Sequence, residues 1–301
     1  MEQIRIHADS RSRSHPRSRS HAVARLAPPR SRSRLLALLL PLLLLACVTP
    51  QPGSPGSTTT ADVPAQSPDA RGLIVIVHGA NHRADGWPLE VEERIRAHYD
   101  VSRWDFFRPD WPQLSDRYLS GATDGYALGR RYGAALAAPG YSYEVMHLIG
   151  NSLGAHVVHG LAAAYRETRA GVQALIHMTF IDPFVYRDLL RPRYGVSQFG
   201  RHADVTDNYY TRDEPVWFSN TPLDHATNFD VSPVVPPRED PYFTYYHDYP
   251  MVYYRNSVGR LRPGFSLSPL ALGVLHADST YEPSTLQTIL PPGVVRTVRR
   301  P

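Results

Sequence analysis

Glu144-Val145-Met146-His147-Leu148-Ile149-Gly150-Asn151-Ser152-Leu153-Gly154-Ala155-His156-Val157-Val158-His159-Gly160-Leu161-Ala162-Ala163-Ala164-Tyr165 is the stretch whose reading decides the fold. An apolar run, 143–149, leads straight into Gly150-Asn151-Ser152-Leu153-Gly154, and a small, apolar, helix-like run leads out of it. A G-x-S-x-G pattern alone is weak. Between a strand and a helix it marks a sharp turn that lifts a serine hydroxyl to the edge of a sheet. The glycines belong there because the turn is strained and the backbone passes close to its neighbours.

Working outward, Leu73-Ile74-Val75-Ile76-Val77 is a continuous β-branched run that reads as a strand buried on both faces. Residues 88–98 carry an amphipathic, acid-then-basic helical pattern. Residues 101–107 read as the next strand. Residues 123–138 read as a helix stopped by Pro139-Gly140, and 173–181 as a further strand after the elbow helix at about 153–168. Strands alternating with helices imply an α/β domain with a mostly parallel sheet. Beyond about residue 183 the pattern degrades, and 222–250, rich in Pro, Tyr, Phe and Asp, read as long loops.

The chain has 301 residues, 42% hydrophobic and 20% charged, and all 32 basic residues are arginine. Charge is uneven. Residues 1–34 hold nine Arg against Glu2 and Asp9, a net of +7, so the total of +4 leaves −3 for the rest. The basic character belongs to the leader, and no nucleic-acid partner is expected. Leu35 to Ala46 form an apolar run too short to span a bilayer but of signal-peptide length, preceded by positive charge. It ends Leu44-Leu45-Ala46-Cys47, similar to the lipobox of bacterial lipoproteins, and Cys47 is the single cysteine. That resemblance implies lipidation of Cys47 and a lipid-anchored place in a bacterial envelope, with plain secretion as the alternative. The expected organisation is a basic leader and signal segment (1–47), a Pro/Ser/Thr/Gly-rich disordered tether (48–70), and one catalytic domain (71–301).

A serine hydroxyl needs a base, normally His, and an acid that orients the base. Asp182 ends the apolar run Thr179-Phe180-Ile181, at the sheet edge where α/β folds place ligands. Asp213, after the strand-like Tyr209-Tyr210, is the rival acid. For the base, His247 in Tyr245-Tyr246-His247-Asp248 reads as a loop histidine before a helix, and His225 in Leu223-Asp224-His225-Ala226 is the rival. His78 with His82, or His156 with His159, have spacings suited to a metal, but no third ligand accompanies either pair, so no metal and no cofactor are expected. The aromatic run 242–246 would line an acyl pocket or pack a loop.

The elbow Leu148 to Val157 resembles that of the animal pancreatic/lipoprotein lipase family, which usually has His where Asn151 stands. Val77-His78-Gly79-Ala80, Pro109-Asp110-Trp111, Phe180-Ile181-Asp182-Pro183, Asp224 to Asp230, and His247 to Ser257 resemble further segments of that family in the same order. The resemblance implies an α/β-hydrolase fold, mostly parallel and flanked by helices, with Ser152 as nucleophile, Asp182 as acid and His247 as base. The oxyanion hole would be the backbone N–H groups of Leu153 and Ala80. The family's disulfide-closed lid and C-terminal β-sandwich have no counterpart. The expected activity is hydrolysis of lipid or other carboxylic esters through an acyl-enzyme. Acyl transfer or amide hydrolysis would use the same residues, and a catalytically inactive envelope protein that binds lipid or a partner is the reading from another class.

Overall fold

The structure, a computed structural model, describes residues 63–117, 120–212, 218–236, 245–259, 263–265 and 292–298, all within Thr59–Pro301. In chain order the elements are β1 (Gly72–Val77), α1 (Trp87–His98), β2 (Trp104–Phe107), α2 (Pro112–Ser115), α3 (Gly121–Leu136), β3 (Val145–Asn151) and α4 (Gly154–Arg166). There follow α5 (Arg169–Gln173), β4 (Leu175–Ile181), α6 (Tyr194–Gln198), β5 (Val205–Tyr210), β6 (Thr227–Asp230), a 3-10 turn (Ser232–Val234), α7 (Tyr245–Ser257) and β7 (Val295–Thr297).

The seven strands form one sheet in the order β2-β1-β3-β4-β5-β6-β7, and every neighbouring pair is parallel. Alternation along the strands feeds two cores. Leu73, Val75 and Val77 of β1, with Met146, Leu148, Ile176, Met178 and Phe180, face α3 and α4. Ile74 and Ile76, with Val145, Ile149, Ile181, Tyr209 and Phe229, face Trp87, Val91 and Ile95 of α1 and Tyr253 and Tyr254 of α7. Both faces of the central strands are therefore apolar, which is why they read as unbroken hydrophobic runs.

Four expectations shift. The strand expected at 101–107 begins only at Trp104, and the run 173–181 divides into α5 and β4. The segment read as loop contains β6 and the start of α7. Its strand, Thr-Asn-Phe-Asp, hides a buried backbone behind polar side chains that bond internally. Asn228 Nδ2 donates to the carbonyls of Leu223 (2.9 Å) and Ala226 (3.0 Å), and its Oδ1 accepts from Asn208 Nδ2 (2.9 Å). The tether expected to reach residue 70 ends earlier. Val63 packs against the core, Gln66 Nε2 donates to Ala70 O (2.6 Å), and Ser67 N donates to Asp105 Oδ2 (2.9 Å).

Candidate active site

Strand order places the site. The chain leaves β1 for β2 on one side and returns to β3 on the other, so the loops after β1 and β3 diverge and open a crevice at the C-terminal edge. Ser152 follows β3 in that crevice, and its φ of 49° is a left-handed conformation that a non-glycine residue adopts only when its surroundings enforce it. The enforcement is visible. Ser152 N donates to Ile181 O (3.1 Å), and Asn151 Nδ2 donates to the same carbonyl (3.0 Å). A Cβ on Gly154 would lie 2.4 Å from Val77 O, and one on Gly150 would lie 2.8 Å from Gly154 O. Only glycine at these two positions lets α4 press this closely onto β1 and β3.

Asp182 leaves β4 with φ 39°, fully buried, its N–H bonded to Tyr209 O (2.8 Å). Its two carboxylate oxygens are both engaged. Oδ2 accepts from His247 Nδ1 at 2.6 Å, and Oδ1 accepts from the backbone N–H of Asn220 at 2.9 Å. With Nδ1 protonated toward the carboxylate, His247 Nε2 is the free base, and it lies 3.1 Å from Ser152 Oγ. His247 sits in the first turn of α7, not in a loop. Thr211 fixes that turn, since its hydroxyl donates to Tyr246 O (2.9 Å) while accepting from Asn220 Nδ2 (3.3 Å).

Electrostatics follow from burial and pairing. Burial alone would depress His247, but the hydrogen bond and negative charge of Asp182 outweigh it and raise the imidazole above the ordinary histidine value. Burial pushes the Asp182 carboxyl up, and the hydrogen bond from His247 opposes that.

The loop after β1 closes the other side. Among the described residues, the N–H groups of Ala80 and Leu153 have no acceptor. Leu153 caps the N-terminus of α4, where helix N–H groups point outward. His78 anchors the loop: Nδ1 meets Gly79 O (2.8 Å), Nε2 meets Asp110 Oδ1 (3.0 Å), and its carbonyl accepts from Trp111 Nε1 (3.1 Å).

Thus Ser152, Asp182 and His247 are brought together by hydrogen bonds. His225 is not. It precedes β6 at the opposite edge of the sheet, where Arg201 Nε donates to its Nε2 (3.1 Å). Asp213, Cys47 and residues 242–244 of the aromatic run lie outside the described residues. His156 bonds through Nε2 to the carbonyls of Phe184 (2.8 Å) and Tyr186 (3.1 Å), and His159 to Tyr194 Oη (3.2 Å). Among the described residues no three His, Cys, Asp or Glu side chains are arranged to hold a metal ion. Asn220 and Thr211 escaped the sequence reading. Nothing in Ser219-Asn220-Thr221 or Tyr210-Thr211-Arg212 signals contact with residues 38 and 35 positions away, although the left-handed φ of Asn220 (53°) suits an asparagine.

Residues 74–292 match the model of a protein family described as Alpha/beta hydrolase family. No curated protein matches the chain. Several solved structures are similar to it. One is a lipase-esterase related protein from Clostridium acetobutylicum ATCC 824, with 8% identity, 71% of this chain and 96% of that chain covered, and a TM-score of 0.34. Another is Thermogutta terrifontis esterase 2 phosphoramylated by tabun, with 17% identity, 52% and 65% covered, and a TM-score of 0.29.

Proposed function

The chain belongs to the alpha/beta hydrolase family, and from that premise we propose that it is a serine carboxylic-ester hydrolase in which Ser152, His247 and Asp182 act as nucleophile, base and acid. The observation that carries this reading is the hydrogen-bonded series from Ser152 Oγ to His247 Nε2 (3.1 Å) and from His247 Nδ1 to Asp182 Oδ2 (2.6 Å).

In the proposed cycle Ser152 Oγ attacks the ester carbonyl carbon while its proton passes to His247 Nε2. The imidazolium is stabilised by Asp182, whose other oxygen is held by Asn220. The carbonyl oxygen, now an anion, is received by the N–H groups of Leu153 and Ala80. Each such donor typically contributes about 2.7–4 kcal/mol to the transition state. The tetrahedral intermediate collapses, the C–O bond to the alcohol breaks, and the proton on Nε2 goes to the leaving alkoxide. Water then adds to the acyl-enzyme with His247 as base, and the carboxylic acid departs. The elbow's likeness to the pancreatic/lipoprotein lipase family favours esters of acyl lipids as substrates. The apolar run 35–46 and the single Cys47 support a lipid-anchored envelope location for the same catalytic domain.

The test is labelling with a fluorophosphonate, followed by a panel of p-nitrophenyl esters of rising chain length. Wild-type protein should label and turn over, and Ser152→Ala should do neither while keeping its thermal transition. Turnover retained by Ser152→Ala would sink the assignment. A folded wild-type protein inert to the probe would favour the binding-protein reading.

A further inference from the structure

Five consecutive residues, Leu189-Leu190-Arg191-Pro192-Arg193, are exposed in the connection that leaves Asp182 for α6. Leu189 and Leu190 are 91% and 92% accessible, more than any other large apolar side chain among the described residues. Val172, the next at 72%, stands alone on the opposite edge, before β4. A single exposed apolar residue needs no explanation, but two adjacent ones held out together do.

They are held out by construction. Arg187 N donates to Arg191 O (3.3 Å), and Arg191 N donates to Asp188 O (2.9 Å). Asp188 Oδ1 accepts from Leu190 N (3.1 Å), and the Asp188 carboxylate pairs with the Arg191 guanidinium. At the base of the turn the Arg187 guanidinium lies 4.2 Å from the Tyr126 ring centre and 4.4 Å from that of Tyr194. The turn is closed and anchored, so the leucines cannot fold back onto the core. The root of the connection is fixed to the nucleophile itself, where Phe184 N donates to Ser152 O (3.0 Å). Because β3 and β4 are parallel neighbours, the connection starts at the same sheet edge as Ser152 and then runs alongside α3 and α4.

We infer that the Leu189–Leu190 turn, whose base packs beside α3 and α4, is a contact for a lipid surface bearing negative charge. Two features select lipid over protein. Residues 187–193 hold three arginines against one aspartate, a net of +2, and Arg193 is exposed beside the leucines with no side-chain partner among the described residues. That is the pattern of groups that insert shallowly and meet anionic headgroups. The apolar area is also small. Two leucine side chains supply far less than the roughly 800 Å² per partner of a stable protein interface. The proposal concerns attachment of this turn and does not require Ser152 to react.

The test uses the compact unit Thr59–Pro301, so that neither an acyl group nor the basic, apolar leader contributes, and vesicles of phosphatidylcholine with or without phosphatidylglycerol. Leu189→Ser with Leu190→Ser should weaken partitioning about tenfold or more, given the apolar surface removed, with hydrolysis of a soluble short-chain ester unchanged. Arg193→Gln should weaken binding only where phosphatidylglycerol is present. Leu190→Trp should show a blue-shifted emission on vesicles. Equal partitioning of the leucine double variant and its parent would overturn the proposal. So would a parent that is dimeric in solution and becomes monomeric on the double substitution, because the turn would then join copies of the chain. Loss of short-ester hydrolysis by the parent itself would instead count against the proposed activity, leaving the partitioning result intact.

Discussion

A Cβ built on Gly79 would fall 2.7 Å from the Cβ of Ser152 and 3.1 Å from Asn151 Oδ1. The loop that carries Ala80 and the turn that carries Ser152, the proposed oxyanion donor and nucleophile, are thus in direct van der Waals contact, and the absent side chain of Gly79 sets their spacing. Gly79→Ala must push the loop away from the elbow. Losing one oxyanion donor costs about 10²–10³ in kcat, and overpacking costs about 1–3 kcal/mol of stability. The expected outcome is a kcat about 100-fold lower, with a modest fall in melting temperature. Unaltered kcat in a folded variant would show that the loop takes no part in the chemistry.

Asp182 combines a left-handed φ with complete burial, and asparagine tolerates that backbone better than most residues. Asp182→Asn should therefore fold while removing the charge beside His247. Its kcat should fall by about 10³–10⁴-fold. The pH profile carries a second reading. In the native protein Asp182 raises His247 above its ordinary value, so kcat/KM should climb through a pKa above 6.5 as the base loses its proton. In Asp182→Asn that support is gone and burial remains, so the ascending limb should move to lower pH. A limb that stays in place would mean another group controls it.

Stability should depend on pH for a different reason. His147, His156 and His159 are buried, and burial depresses all three, His156 to about 3. His147 lies flat on His177, with ring centres 4.0 Å apart, and bonds to Thr179 Oγ1 at 2.9 Å. Unfolded histidines take up protons below about pH 6.5, whereas these folded ones do not. Stability is then complete above pH 6.5 and is lost as pH falls, by about 1.4 kcal/mol per pH unit for each group. His247 has the opposite sign: its contribution is full below pH 6.5 and fades as pH rises through its raised pKa, so it does not mask the acid loss. Urea midpoints measured from pH 8 to 5 should fall steeply below about 6.5, and a flat profile would refute the account.

The three central strands, β1, β3 and β4, were legible because both their faces meet apolar helices. Strand β6 was not, and of β5 only the end, Tyr209-Tyr210, read as strand-like, because Asp207 and Asn228 are buried through hydrogen bonds to His177 (2.9 Å) and Asn208 (2.9 Å), which hydropathy cannot register. Ser152 and Asp182 stand directly after apolar runs, so position in the sequence pointed to them. His247 lies 65 residues beyond Asp182, in a segment whose Pro250 and polar tyrosines blur where the helix begins, and the family resemblance singled it out. Asn220 and Thr211 carry no local signal, since their roles arise from tertiary approach.

Between α3 and α4 the sequence spaces Gly121, Gly125, Gly129 and Gly133 four apart, one ridge along a helix. A Cβ on Gly129 would lie 1.9 Å from Val157 O, and one on Gly133 2.4 Å from Leu161 O. The obstacles are backbone atoms, which cannot rotate aside as a side chain can. Gly129→Ala must force the helices apart, although alanine is the better helix former by about 1 kcal/mol. Separation opens the apolar seam along Val157 and Leu161, so the net effect should be a loss of about 3 kcal/mol. For a domain of this size that is a fall of roughly 6–12 °C in melting temperature. If Gly129→Ala raised the melting temperature or left it unchanged, close approach of the two helices would not explain the glycine ridge.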